Sequence, residues 1–323
     1  MNYQINTIKI SNKNTLSTMN TKKIIAALLL FVTAFQACKK DKEVEPEKAI
    51  PTATNVEIGS GNKQALRGRD FHFNADVIAA DKIKDVRVKI LQKSGEKYTA
   101  TWKFELTWAE YKGAKNTNVH KHFTIPAEAP EGKYDFYFVV LDENGTKLEI
   151  KEDLTIIDPA NIPVDPKIGR DFVSRNDIMI YSMGTYMETE LIVKKGDELK
   201  LHAQVNDIKG DGILYSVLIK RKANYYPESI DKLDLSKAIV VSKIEHKALA
   251  AASKITTLKQ INGVYGGESI VIGAEKDNNE PAANPINGEK IWESEKYNWV
   301  ILYKNTTHNI STYKVIPITI DYK

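Results

Sequence analysis

The stretch DFHFNADV, Asp70–Val77, decides the reading of the fold. Phe71, Phe73, Ala75 and Val77 alternate with His72, Asn74 and Asp76, the two-residue period of a strand with one face in a core. DVRVKIL, Asp85–Leu91, repeats the pattern with Val86, Val88 and Ile90. YTATWKFEL, VHKHFTIP, YDFYFVVLD and KLEIKEDLTII then follow between residues 98 and 157, with Asn144-Gly145 as a strong hairpin signal. The chain has a single cysteine, so no internal disulfide can form and packing or a metal must hold it together. Short strands at regular spacing predict an immunoglobulin-like antiparallel β-sandwich over residues 51–158. DPANIPVDP, with three prolines, predicts a stiff linker at 159–167 and independent folding on either side of it.

The remainder, 168–323, echoes the first part in order. LRGRDFHFNADVIAADKIKDVRVKIL (Leu66–Leu91) lines up with VKKGDELKLHAQVNDIKGDGILYSVLI (Val193–Ile219). YDFYFVVLDENGTKLEI (Tyr134–Ile150) lines up with YNWVILYKNTTHNISTY (Tyr297–Tyr313). The fold class expected is all-β: two tandem immunoglobulin-like sandwiches. The second should carry an insertion at about 225–290, with a helix near SKAIVVSKIEHKALAAASKI (Ser236–Ile255) and a Gly/Asn/Pro-rich loop.

IGSGN, GRDFHFNADV and KNTNVHKHFTIPAEAPEGKYDFYFVVLDENG resemble the bacterial lipoprotein domain known as domain of unknown function 4625. The resemblance implies a secreted or lipid-anchored sandwich and brings no established activity. The second unit departs from it, since Lys200 stands where the repeat places His72 and no His-x-His follows.

The beginning of the chain points the same way. Lys22 and Lys23 precede the apolar run Ile24–Phe35, which is too short to span a membrane. FQAC, ending at Cys38, resembles the lipobox of lipoproteins of the kind found in Bacteroidota, although Phe35 and Gln36 depart from its usual pattern. That resemblance implies a signal peptide over 1–37 (or from Met19), acylation of Cys38, and attachment to the lipid bilayer through it. Residues 38–50 are charged and lack aromatics, a composition for a flexible tether. The expected location is the cell envelope, as an outer membrane lipoprotein on either the periplasmic or the surface leaflet.

Charge excludes one class of partner. The chain has 46 Lys+Arg and 42 Asp+Glu, and four of the lysines lie in residues 1–37, which hold no acids. The body is therefore neutral, without the basic stripe that nucleic-acid binding requires.

The sharpest candidate site is histidine. His120 and His122 share one face of their strand, and His72 points outward from its own. If these strands are neighbours, opposed side chains have Cβ atoms about 5 Å apart. Three imidazoles could then converge on Zn or Cu, with Asp76 or Glu105 completing the shell. Affinity should fall as pH drops below about 6.5. The alternative is solvated cross-strand histidines, or histidines packed beneath the second unit. NDIKGDG (Asn206–Gly212) lacks EF-hand spacing and reads as a polar hairpin. YGGES has no strand–serine–helix context, and Glu188 and Glu190 read as solvent-facing. Tyr137, Trp102, Trp108, Trp292 and Trp299 serve either core packing or a carbohydrate or peptide surface. With no nucleophile–base pair and no phosphate loop, catalysis has least support. A non-catalytic binding or accessory module for an envelope protein or small ligand comes first, and an envelope metal binder second.

Overall fold

The computed structural model describes residues 47–261 and 264–323. The expected signal peptide, the expected acylation site Cys38 and most of the expected tether lie outside them. Strands β1 (Thr52–Ile58), β3 (Asp70–Ile78) and β6 (Asn116–Thr124) form one sheet in the order β1-β3-β6. Strands β2 (Gln64–Leu66), β4 (Ile83–Gln92), β5 (Lys103–Trp108), β7 (Gly132–Asp142) and β8 (Lys147–Ile157) form a second, in the order β2-β8-β7-β4-β5. The alternation in DFHFNADV does what its period dictates. Phe71, Phe73, Ala75 and Val77 are buried against Val86, Val88 and Ile90 of β4 and Phe136 and Phe138 of β7. The Phe73 ring lies 4.7 Å from that of Phe138 and 5.6 Å from that of Phe136. Truncating Phe73 to alanine at this junction of the two sheets would cost about 3–5 kcal/mol. The β7–β8 hairpin turns at Asn144-Gly145, where Gly145 takes a φ of +90° and its N–H donates to the Asp142 carbonyl at 3.1 Å.

The second sandwich contains β9 (Lys167–Arg175), β10 (Ile178–Ser182), β11 (Thr185–Tyr186), β12 (Ile192–Lys194), β13 (Glu198–Lys220), β14 (Ala238–Thr256), β17 (Ser269–Val271), β18 (Glu295–Asn305) and β19 (Ile310–Asp321). A small hairpin, β15 (Leu258–Ile261) with β16 (Val264–Gly267), stands apart from its nine-stranded sheet. That sheet folds onto itself. The N-terminal half of β13 pairs with β9, β17 and the end of β14, and its C-terminal half with β18 and the start of β14. Leu199, Leu201, Ala203 and Val205 of the first half share a core with Leu214, Leu218, Trp299, Ile301 and Tyr303 of the other layer.

The bend lies in NDIKGDG, so this segment is not the polar hairpin expected. The strand runs through it. Asp207 (φ +57°) and Gly210 (φ +72°) adopt left-handed conformations, and the pairing with β14 slips register between Val205 and Gly212. Such bulges turn a strand without ending it. The helix expected over Ser236–Ile255 is also a strand, β14. Its run Ala238–Val241 is buried on successive residues, because both faces of the sheet are covered there. Residues 238–256 are consequently part of the sandwich framework rather than of an insertion.

The two sandwiches repeat the same pairings. β1–β3 corresponds to β9–β13, β4–β7 to β13–β18, β7–β8 to β18–β19, and the parallel pair β2–β8 to the parallel pair β12–β19. Where the first uses β3 and β4, the second uses the one strand β13. Where the first uses β5 and β6, the second uses β14. Each also has a tyrosine bonded to backbone four residues upstream. The Tyr134 hydroxyl donates to the Pro130 carbonyl at 2.7 Å, and the Tyr297 hydroxyl accepts from the Glu293 N–H at 3.2 Å. That corner is an immunoglobulin-type feature.

Residues 49–323 form one compact unit. The linker is fastened to the first sandwich: Arg69 forks onto both oxygens of Asp165 at 2.5 and 2.8 Å, and Arg67 pairs with Asp158. Among the described residues no helix is long and apolar enough to cross a membrane.

Candidate metal centre

Because Phe71 and Phe73 point into the core, His72 between them points out of the sandwich. The β3–β6 register sets His72 directly opposite His122, with Asn74 opposite His120. The three imidazoles consequently crowd one patch of the outer face. Ring centroids are 5.2 Å apart for His72–His120 and for His72–His122, and 5.4 Å for His120–His122. Nδ1 of His72 lies 3.5 Å from Nε2 of His122.

An outward-facing residue should be wet, yet His72 is only 9% exposed. The cover comes from the segment between β13 and β14. Tyr225, Ile230, Leu233 and Leu235 pack onto an apolar patch of Tyr215, Val217, Ile219, Val240, Val300 and Leu302. The Tyr225 hydroxyl closes the segment on itself, donating to the Lys232 carbonyl and accepting the Asp234 N–H at 2.5 Å. Held this way, the segment places Glu228 over the histidines. Oε1 of Glu228 is 3.0 Å from Nε2 of His120 and 3.1 Å from Nε2 of His122, and Oε2 is 2.7 Å from Nδ1 of His72. The last contact is close but poorly aligned, and the buried Oε2 has no well-directed donor.

One donor atom from each of His72, His120, His122 and Glu228 lies within 4.8 Å of all the others. A tetrahedral ion with bonds of about 2.0–2.1 Å separates its ligand atoms by roughly 3.3–3.4 Å. The His72–His122 spacing already fits, the contacts of Glu228 Oε1 to His120 and His122 are a few tenths of an ångström short of it, and no pair in the set exceeds 4.8 Å. A further ring of carboxylates orients the imidazoles. Oδ2 of Asp70 lies 2.6 Å from Nδ1 of His122, and Oε2 of Glu57 lies 3.7 Å from Nε2 of His72. Each leaves the other ring nitrogen facing the centre, the arrangement that metal-binding histidines need.

The charges are strongly coupled. Burial disfavours the His72 imidazolium, but Glu228 and Glu57 outweigh it and raise the group to about 9. His122 is raised in the same way, against burial, by Asp70 and Glu228. Burial would raise Glu228, yet its hydrogen bond to His120 and its close charge pairing with His72 hold it far below the usual carboxylate range. Protons and a divalent ion therefore compete for one set of lone pairs.

Asp76 and Glu105, the carboxylates expected to complete the shell, are elsewhere. Asp76 lies four residues along β3 from His72, about 13 Å up the strand, and accepts from Asn55 at 2.7 Å and Asn118 at 2.8 Å. Glu105 is on β5 of the opposite sheet, facing Lys89 at 3.9 Å. The carboxylate that joins the histidines, Glu228, is 108 residues from His120 and belongs to no periodic motif. Asp70, two residues before His72 on the same face, was within reach of the alternation argument. Of the aromatics, Trp108, Trp292 and Trp299 are buried, and Trp102 stacks on Phe104. Tyr137 lies half-buried beneath Lys151. Glu188 pairs with Arg175 at 2.7 Å.

The three histidines, Asp70 and Glu57 all come from the first sandwich. Residues 36–157 match the family described as a domain of unknown function, DUF4625. Glu228 and Tyr313 lie beyond the DUF4625 segment, so the centre joins that domain to the following sandwich. Among curated proteins none matches the chain in sequence. Among solved structures, dimeric latent PorU from Porphyromonas gingivalis aligns with 87% of this chain and 21% of its own, at 11% identity and a TM-score of 0.30. Trypsin-activated α-2-macroglobulin from Escherichia coli aligns with 84% of this chain and 17% of its own, at 10% identity and a TM-score of 0.22. The chain thus spans about a fifth or less of these proteins.

Proposed function

We propose that this is a lipid-anchored, non-catalytic envelope protein whose DUF4625 domain binds a transition metal ion, Zn or Cu, through His72, His120, His122 and Glu228. The observation that carries the reading is the convergence of four donor atoms within 4.8 Å. Three imidazoles and one carboxylate suit Zn²⁺ or Cu²⁺, whereas Ca²⁺ and Mg²⁺ take all-oxygen shells. Acylation of Cys38 would hold the protein at the outer membrane, where the folded part would present this centre to an envelope partner or a small ligand.

Calorimetric titration of residues 47–323 with Zn²⁺ and with Cu²⁺ tests the reading. A site of this composition should bind one ion more tightly than about 10 μM (about −7 kcal/mol), and His120→Ala/His122→Ala should abolish it. Weaker binding, or equal binding by the double variant, returns the cluster to a proton-held network.

A further inference from the structure

The histidine cluster borders a cleft of about 440 Å³ whose walls include Arg69, Asp70, His72, His122, Asp165 and Tyr313. His120 and Glu228 do not line it, so the cleft reaches the centre from the His72/His122 side only. Tyr313, from β19, brings its hydroxyl to 3.5 Å from Nε2 of His122. As a tyrosine hydroxyl it is a neutral O–H donor at neutral pH.

Metal binding changes what that hydroxyl can reach. An ion coordinated by Nε2 of His122 takes the imidazole lone pair that Tyr313 faces. The O–H, which also has the Glu228 carboxylate as a neighbour, then lies at the edge of the coordination sphere on the cleft side. Charge defines what should accept it. A divalent ion with one carboxylate ligand retains one net positive charge at its centre, which a monoanion neutralises. Neighbouring charges are already committed: Asp70 to His122, Glu57 to His72 and Lys232, and Arg69 to Asp165. Zn²⁺ can expand from four to five ligands.

We infer, building on the metal reading above, that the centre keeps an exchangeable position facing this cleft, which takes a carboxylate hydrogen-bonded by Tyr313. Its oxygen donates a lone pair to the ion, and its second oxygen accepts the Tyr313 O–H. The cleft has room for a substituent behind the carboxylate, so small carboxylic acids and chain-terminal carboxylates are the class that fits.

Co²⁺ as the probe ion separates the two claims, because its visible bands report ion binding and coordination number independently. Co²⁺ alone should produce a bound spectrum. Adding acetate should convert it saturably to a weaker, five-coordinate spectrum, while perchlorate at equal ionic strength should not. Tyr313→Phe should bind Co²⁺ within about twofold of the parent but bind acetate about tenfold more weakly (about 1.4 kcal/mol). A Co²⁺ spectrum that acetate leaves unchanged means a closed centre and overturns the inference while sparing the metal site. Equal acetate affinity in Tyr313→Phe overturns the role given to that hydroxyl. Failure of Co²⁺, Zn²⁺ and Cu²⁺ alike to bind defeats the metal reading itself.

Discussion

Oε1 of Glu228 stands 3.0 Å from Nε2 of His120, so a carboxylate of the second sandwich closes a histidine cluster built entirely by the first. The ion site and the docking of the two sandwiches are therefore one structure. Anything that fills the site also ties residues of both sandwiches together.

Thermal unfolding should register this tie. A ligand that binds only the folded state at about 100 times its Kd adds about 2.7 kcal/mol, which for sandwiches of this size raises Tm by roughly 5–10 °C. Zn²⁺ should produce that increment and excess chelator should reverse it. Glu228→Ala should lose most of the increment. Should Glu228→Ala keep the full Zn²⁺ shift, the ion is bound by the histidines alone.

The pH dependence differs from what unperturbed histidines would give. His72 is raised from 6.5 to about 9, so its charged pairing with Glu228 and Glu57 stabilises the metal-free fold fully below about pH 6.5 and is lost as pH rises through about 9. Metal affinity runs the opposite way. The ion needs neutral His72 and must expel its proton, so affinity should climb across this range and level off above about pH 9. Calorimetry at neutral pH in two buffers of different ionisation enthalpy should show net proton release. A buffer-independent heat would contradict the raised His72.

A different buried pair tests the framework of the second sandwich. Lys290 Nζ lies 2.9 Å from Oδ2 of Asp277, with side-chain exposures of 4% and 0%. Asp277 also accepts backbone N–H groups from Asn284 at 2.7 Å and Asn279 at 3.2 Å. Asp277→Ala strands the lysine charge and should cost about 3–5 kcal/mol, a fall in Tm on the order of 10 °C. Asp277→Leu/Lys290→Met should recover a large part of that loss. Chemical denaturation of the three proteins decides it.

On the proposed reading, membrane attachment depends on one atom, the sulfur of Cys38. Cys38→Ala should move the protein from the membrane to the soluble fraction, or leave it unprocessed, with the Tm of the folded part unchanged. Membrane association of a processed Cys38→Ala protein would remove the acyl anchor from the account.

Strand facing and pairing of the first sandwich were legible because a period of two fixes which side chain points where. That logic carried from Phe71 and Phe73 to the outward, adjacent placement of His72, His120 and His122. It could not supply Glu228. This residue is positioned by an irregular segment whose apolar anchors, Ile230, Leu233 and Leu235, follow no strand period and dock on a distant sheet. Asp76 illustrates the limit from the other side: correct facing on the correct strand does not overcome four residues of rise. The helix expected at Ser236–Ile255 failed because alanines such as Ala238 and Ala248 favour helix in isolation, whereas long pairing with β13 holds the segment extended.

The continuity of β13, 23 residues that cross both layers of the second sandwich, has a mechanical consequence. In the first sandwich the corresponding strands are separate, and either sheet can loosen while the other keeps its ladder. In the second, β13 and β14 run together through both layers, so a local opening must either break the ribbon at Asp207–Gly210 or open both layers at once. Amide hydrogen exchange should therefore give matching opening energies for Leu201 and Val217 on the two arms of β13, and unequal ones for Phe73 and Val88. The second sandwich would respond to stretching as a single element whose one bend lies at Asp207–Gly210, and the ion centre is suspended from it through Glu228.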